Sequence, residues 1–179
     1  AASSPRIRHL SSDRPLAMSA NWERGLNEAQ GEYVTVLGDD DGLMPYALRE
    51  LDRLVTRTGA RAIRWQRCIY TWPTIGVEGE ANLLILPLFR TITEIDGKAQ
   101  IAKVMRFEAG TDSLPMIYCS VIHRDLIEQH RATVGRVFLN IYPDIYSAFG
   151  FGYLAEMYLS VSVPMSIAGL SHASNGVAT

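Results

Sequence analysis

The sequence predicts an α/β fold, with a mixed, mostly parallel sheet flanked by helices. Three observations carry that expectation. Apolar segments of strand length alternate with stretches of helical period through the first two-thirds of the chain. Glycine and proline sit at the changes, as at Gly31, Pro45, Gly59 and Pro73. One short apolar strand, residues 33–37, runs straight into three carboxylates, Asp39, Asp40 and Asp41, and ligand sites of open α/β sheets lie at strand carboxyl ends.

Residues 1–18 are irregular by composition: 1–5 read as a tail, 6–10 as a short strand, 11–15 as loop. Ser19 is a candidate N-cap for a helix over 20–30, where Trp22, Leu26 and Ala29 share one face. Gly31 suits a left-handed helix end. After the acidic turn, Pro45 opens a helix to about residue 57, with Leu48, Leu51, Leu54 and Val55 facing inward and Gly59 closing it. Residues 62–66 and 68–72 read as one strand-like segment, broken by Pro73 and Gly76. Strands are also expected over 83–89 and 90–95. Asp96 can cap a helix over 97–107, with Ile101, Val104 and Met105 on one face. Residues 116–123 (MIYCSVIH) form the second strong strand. A short helix follows over 125–130, a longer one over 144–159 and a last extended segment over 160–167. From Gly169 the chain is polar, so 1–17 and 169–179 are expected as flexible or extended ends.

The 179 residues carry a formal charge of −2 and are 47% hydrophobic, enough for one domain with a core. That balance offers no nucleic-acid-binding surface. Cys68 and Cys119 show no metal spacing and lie in apolar segments, as buried free thiols of a reducing compartment would. No apolar run approaches the roughly 20 residues of a membrane span.

The stretch 31–45, GEYVTVLGDDDGLMP, concentrates the chemistry. Three carboxylates at a strand end repel one another and lose water, a cost a divalent cation with a bound anion would remove. Mg²⁺ and Mn²⁺ take oxygen ligands and bridge one or two carboxylates to substrate phosphates. The same triplet also suits a solvated turn that opens a helix. Both readings stand on these residues alone. Asp144, after Pro143 and before a helical stretch, fits a helix cap on local grounds.

The order Asn27-Glu28-Ala29-Gln30-Gly31-Glu32-Tyr33, apolar strand, Asp39-Asp40-Asp41, then Pro45 resembles the middle of a family-2 glycosyltransferase of GT-A fold. Residues 116–125 and Pro143-Asp144-Ile145-Tyr146 resemble its later strand and acidic motif, so the likeness spans about 18–160. The resemblance implies a nucleotide-diphosphate sugar donor, a carbohydrate or lipid-linked acceptor, and inversion at the anomeric carbon. It makes Asp40 the metal-facing carboxylate, flanked by Asp39 and Asp41 at the donor site, with Mg²⁺ or Mn²⁺ as cofactor, and Asp144 the base. Some relatives add a histidine near the C-terminus, so His172 is a further metal-ligand candidate, weighed against an exposed histidine in a polar tail. It also implies a cytoplasmic enzyme, at the inner face of the membrane where the acceptor is membrane-bound, in polysaccharide synthesis. Two departures stand out. Gly38 replaces a carboxylate the family usually carries, and no strand–helix–strand unit precedes residue 18. A single, N-terminally truncated domain over 1–179 is therefore expected, with an uncovered apolar edge that would favour a homo-oligomer.

Those departures keep a non-catalytic binding or scaffold module in play. A nucleotidyltransferase is a third class, but its Gly- and Lys/Arg-rich triphosphate loop has no counterpart here. Arg124 could reach a phosphate or simply start a helix. Trp65, Tyr70 and Trp72 could stack on a sugar or pack in the core, and Trp22 reads as core.

Overall fold

The computed structural model describes residues 6–76 and 79–174. The expected tail over 1–5 and the last residues from 175 lie outside the described residues. Five α-helices, three short 3-10 turns and nine strands lie within them. The helices and strands are α1 (Met18–Glu28), β1 (Tyr33–Val34), β2 (Gly42–Leu43), α2 (Ala47–Thr58), β3 (Ala62–Trp65), β4 (Cys68–Thr71) and β5 (Leu84–Ile85). Then come β6 (Ile92–Asp96), α3 (Gly97–Met105), β7 (Ser120–His123), α4 (Arg124–Val134), α5 (Pro143–Ala155), β8 (Met157–Val161) and β9 (Ser166–Leu170).

The strands form two sheets, one ordered β1-β7-β3-β8-β6 and one ordered β2-β9-β4-β5. The fold is the α/β class read from the sequence, but the sheets are mixed and mostly antiparallel. Among the described residues, only β3–β8 and β4–β9 run parallel. Alternation of strands and helices does not decide direction. β7 returns through the loop near Leu114 and pairs antiparallel with both β1 and β3.

What reads as one strand over 62–72 is two strands in two sheets. At Gln66 and Arg67 the chain leaves the first sheet and enters the second, while β8 and β9 make the same passage beside it. The Trp65 indole N–H donates to Ser166 Oγ at 2.8 Å across this junction, where both residues are buried.

The five-stranded sheet separates two apolar clusters, as side-chain alternation along a strand requires. Ile63, Trp65 and Val121 point to one with Ala47, Leu51 and Leu54 of α2. Ala62, Ile122 and Tyr158 point to the other with Leu26, Leu126, Phe138 and Phe151. Helix α2 contacts its sheet through Ala47, Leu51 and Leu54, which turns Leu48 outward, 69% exposed, against the sequence expectation. Met105, at the last position of α3, is likewise exposed.

Local signals fared unevenly. Gly59 ends α2 at φ 63°, a left-handed position open to glycine. Asp96 caps α3, its Oδ1 accepting from the Ala99 N–H at 2.9 Å. Ser19 does not cap α1; the helix begins one residue before it, with Ala17 as N-cap. The expected strand over 83–89 shrinks to Leu84–Ile85. The final segment is two successive strands in different sheets, and β9 runs to Leu170, so Gly169 belongs to a sheet.

His130 of α4 is buried edge-on to Tyr146, with Nε2 unpartnered among the described residues. Burial pushes its imidazole below the ordinary 6.5, against the opposing pull of the Val137 backbone and Glu23. The folded state therefore binds fewer protons than the unfolded one just below that value, so stability falls as pH drops through it. Melting temperature measured from pH 7.5 to 5.5 is expected to fall, with a shallower slope in His130→Phe.

Candidate functional site

The acidic turn stands where the chain crosses between sheets. After β1, Thr35 Oγ1 and the Val36 N–H both donate to the Ile117 carbonyl, at 2.8 and 3.1 Å. The chain then turns at Asp39–Asp40 and enters β2 alongside β9. Asp41 is tied to that junction, with Oδ1 accepting from the Gly169 N–H at 3.3 Å and Oδ2 from the Gly38 N–H at 3.4 Å. Asp40 Oδ2 accepts from Ser174 Oγ at 2.9 Å, and its Oδ1 takes no hydrogen bond among the described residues.

Gly38 leaves room for this arrangement. A Cβ at position 38 would lie 2.9 Å from Asp40 Oδ1 and 3.0 Å from Asp41 Oδ2. The two carboxylates thus fold over the position where the family usually carries a third. Gly38→Ala is expected to push them apart and weaken any metal-dependent ligand, read by calorimetry, with little change in melting temperature.

Asp144 arrives from the other side, in the first turn of α5. Tyr142 is the N-cap and Pro143 occupies the first turn, so Asp144 does not cap the helix through its side chain. Its carboxylate takes no hydrogen bond among the described residues. The helix N-terminus favours its charge.

Asp40, Asp41 and Asp144 line one cavity of about 500 Å³. Arg67 and Tyr118 complete its polar wall, while Trp22 and Ile141 supply apolar surface. The Arg67 guanidinium carbon lies 4.3 Å from the Tyr118 ring centroid, a cation–π pair, and makes no ion pair among the described residues. Burial pushes the Tyr118 hydroxyl up to about 12, with Cys119, Asp144 and Asp112 adding to burial and Arg67 opposing it. Tyr118 therefore stays protonated near neutral pH. Burial likewise holds the Cys119 thiol up at about 11 and raises Cys68, so neither buried thiol is a ready nucleophile.

Three carboxylates facing one arginine leave the cavity short of positive charge. Among the described residues, no three His, Cys, Asp or Glu side chains gather as a complete metal cage. The pair Asp40 and Asp41 offers the one or two oxygen ligands that Mg²⁺ or Mn²⁺ uses when phosphates and water supply the rest.

Other sequence candidates fall outside this cavity. Asp39 is exposed on the turn and His172 is exposed, its Nδ1 3.1 Å from the Thr74 carbonyl oxygen. Arg124 is a structural clamp, donating to the Ala29 and Gly31 carbonyls at 2.7–3.0 Å. Trp65 is core, whereas Trp72 stacks edge-on with Tyr70 at 5.2 Å on the surface. Trp22, expected in the core, is half-buried at the cavity wall and packs edge-on against Phe138. Arg67 and Tyr118 escaped the sequence reading. The one available signal was Gln66-Arg67, two polar residues interrupting an apolar strand.

The sequence matches the family described as Glycosyl transferase family 2 over residues 1–110. The chain belongs to glycosyltransferase family 2. No curated protein matches it. Membership supports sugar transfer in general, from a nucleotide-sugar donor to an acceptor. The matched span of this glycosyltransferase domain includes the acidic turn and Arg67. Tyr118, Asp144 and Gly169 lie beyond it, and the fold brings them to the same cavity. Among the described residues no helix is long and apolar enough to cross a membrane.

Proposed function

We propose that the cavity transfers a sugar from a nucleotide-diphosphate donor to an acceptor hydroxyl, with inversion at the anomeric carbon. One observation carries this reading: carboxylates from two distant segments, Asp40 with Asp41 and Asp144, face a single cavity that also holds the cation Arg67. Asp144 accepts the proton of the acceptor hydroxyl, whose oxygen forms the new bond to the anomeric carbon. The bond from that carbon to the diphosphate oxygen breaks, and the electron pair leaves with the diphosphate. Arg67 stabilises the charge developing there, held in place by the Tyr118 ring. Asp40 and Asp41 would hold Mg²⁺ or Mn²⁺, which supplies neutralisation of the diphosphate when bound. His172 would join that set only after leaving Thr74, and Asp39, which lies outside the cavity, would meet the donor only after the turn moves.

The test is calorimetry with UDP, GDP and CDP, each with and without Mn²⁺. One nucleotide is expected to bind only with the metal, and Asp40→Ala to weaken it about tenfold or more, which corresponds to the loss of one charge-assisted contact. Metal-independent binding, or binding unaltered by Asp40→Ala, would remove the donor site from these residues. The second reading, a non-catalytic module, is favoured by Asp41, whose two oxygens already accept backbone N–H groups. It predicts that Asp40→Ala and Asp144→Asn both leave the biological role intact.

A further inference from the structure

Strand β6, Ile92–Asp96, forms one edge of the five-stranded sheet. Its ladder with β8 is antiparallel, with Ile92 opposite Val161. In such a ladder alternate residues bond to the neighbouring strand, and those between them face away. Flanking the strand, the Thr91 carbonyl accepts from the Ser162 N–H at 3.0 Å and the Gly97 N–H donates to the Glu156 carbonyl at 2.7 Å. Ile92 and Glu94, out of phase with these, aim their N–H and carbonyl groups away from β8. No hydrogen bond among the described residues reaches those groups. The strand holds no proline and its register has no bulge, two devices that close a sheet edge to other chains.

Beside this edge runs a groove of about 470 Å³, floored by Leu54, Val161 and Met165, all buried. It shares no lining residue with the acidic cavity. One wall is α2, which presents Arg49, Arg53 and Arg57 at every fourth position and so along one face. Arg90 stands on the other wall with Ile92. Arg53 pairs with Glu50 at 3.3 Å. Arg49, Arg57 and Arg90 make no hydrogen bond or ion pair among the described residues. Like charges four apart on a helix repel, and Glu50 is the one carboxylate among the groove's four arginines.

The spacing fits one kind of occupant. Arginines four apart on α2 repeat about every 6 Å along the axis. Alternate residues of an extended chain repeat about every 6.6 Å. An extended segment with an acid at every second position therefore keeps step with the arginines. The same segment can bond through its backbone to Ile92 and Glu94. A second copy of this chain fits less well, because it would set one arginine-lined groove beside another.

We propose that β6 is a docking edge whose partner is an acidic segment of another protein, added to the sheet as a further strand with alternate carboxylates facing Arg49, Arg53, Arg57 and Arg90.

The probe is a fluorescent octapeptide of alternating glutamate and threonine, read by anisotropy at low ionic strength. It is compared with a block peptide of the same composition and with its lysine-for-glutamate version. The alternating peptide should bind at least about tenfold tighter than the block peptide, and the lysine version should not bind. Arg49→Gln/Arg57→Gln should weaken binding about tenfold through lost charge-assisted contacts. Both side chains are exposed and unpaired among the described residues, so folding is spared. Ile92→Pro removes one outward N–H without touching a ladder bond to β8, and should weaken binding about fivefold. Equal binding of the block peptide would reduce the groove to general charge attraction and overturn strand addition, and this comparison needs no variant. Failure of the alternating peptide to bind would overturn it too. Displacement of the peptide by inorganic tripolyphosphate at concentrations below its own Kd would make the groove a phosphate site instead. Sedimentation showing a wild-type dimer that Ile92→Pro abolishes would give the edge to a second copy.

Discussion

Asp144→Asn is expected to lower kcat by about 10²–10⁴-fold, the range that a positioned general base supplies, while metal-dependent nucleotide binding stays at the wild-type level. The substitution keeps the size and the planar shape of the side chain but removes its ability to take a proton. No hydrogen bond is lost with it among the described residues, and Tyr142 rather than Asp144 is the cap of α5. Melting temperature should therefore change little, a combination a purely structural residue would not show. An unchanged kcat would assign the base elsewhere, and a lost nucleotide affinity would move Asp144 to the donor site.

Gly97→Ala is expected to be the most damaging of the small backbone substitutions. A Cβ at position 97 would collide with the carbonyl oxygen of Gly152 and lie 2.8 Å from its carbon. These are backbone atoms of α5, so no rotamer change can make room. The Gly97 N–H also donates to the Glu156 carbonyl at 2.7 Å, tying the start of α3 to the end of α5. Overpacking of this kind costs about 1–3 kcal/mol, or about 2–4 °C of melting temperature per kcal/mol in a domain of this size. The contrast is Gly25→Ala, in the exposed middle of α1 with nothing within 4 Å of a new Cβ. There alanine should stabilise by roughly 0.5–1 kcal/mol. Thermal unfolding followed by circular dichroism reads both signs. Because α5 carries Asp144 in its first turn, Gly97→Ala should also depress transfer activity beyond the loss explained by unfolding. Full activity at low temperature would show that the α3–α5 contact does not set the position of Asp144.

Short-range chemistry was legible in the chain. Asp96 and Gly59 announce a helix start and a helix end, because capping needs only neighbouring backbone groups. The acidic triplet after an apolar strand, with Pro45 beyond it, was enough to suggest the family that the match over residues 1–110 shows. The α/β class followed from periodicity, which depends on one element at a time.

Strand direction and partnership did not follow. The break at Gln66-Arg67 looks like a defect in one strand, yet it is where two sheets part and where Arg67 gains access to the acidic cavity. Leu48 and Met105 have the right helical spacing for burial, but how each helix sits on the sheets leaves them outside. Trp22 reads as core from its helix face and becomes cavity wall once α1 lies beside the acidic turn. Local spacing determines which face of an element is apolar; only the packing of distant segments decides what that face meets. The same holds for the candidate site. The sequence supplied Asp40, Asp41 and Asp144 as separate charges, while their convergence on one cavity with Arg67 and Tyr118 depends on long-range pairing between sheets, which no local pattern encodes.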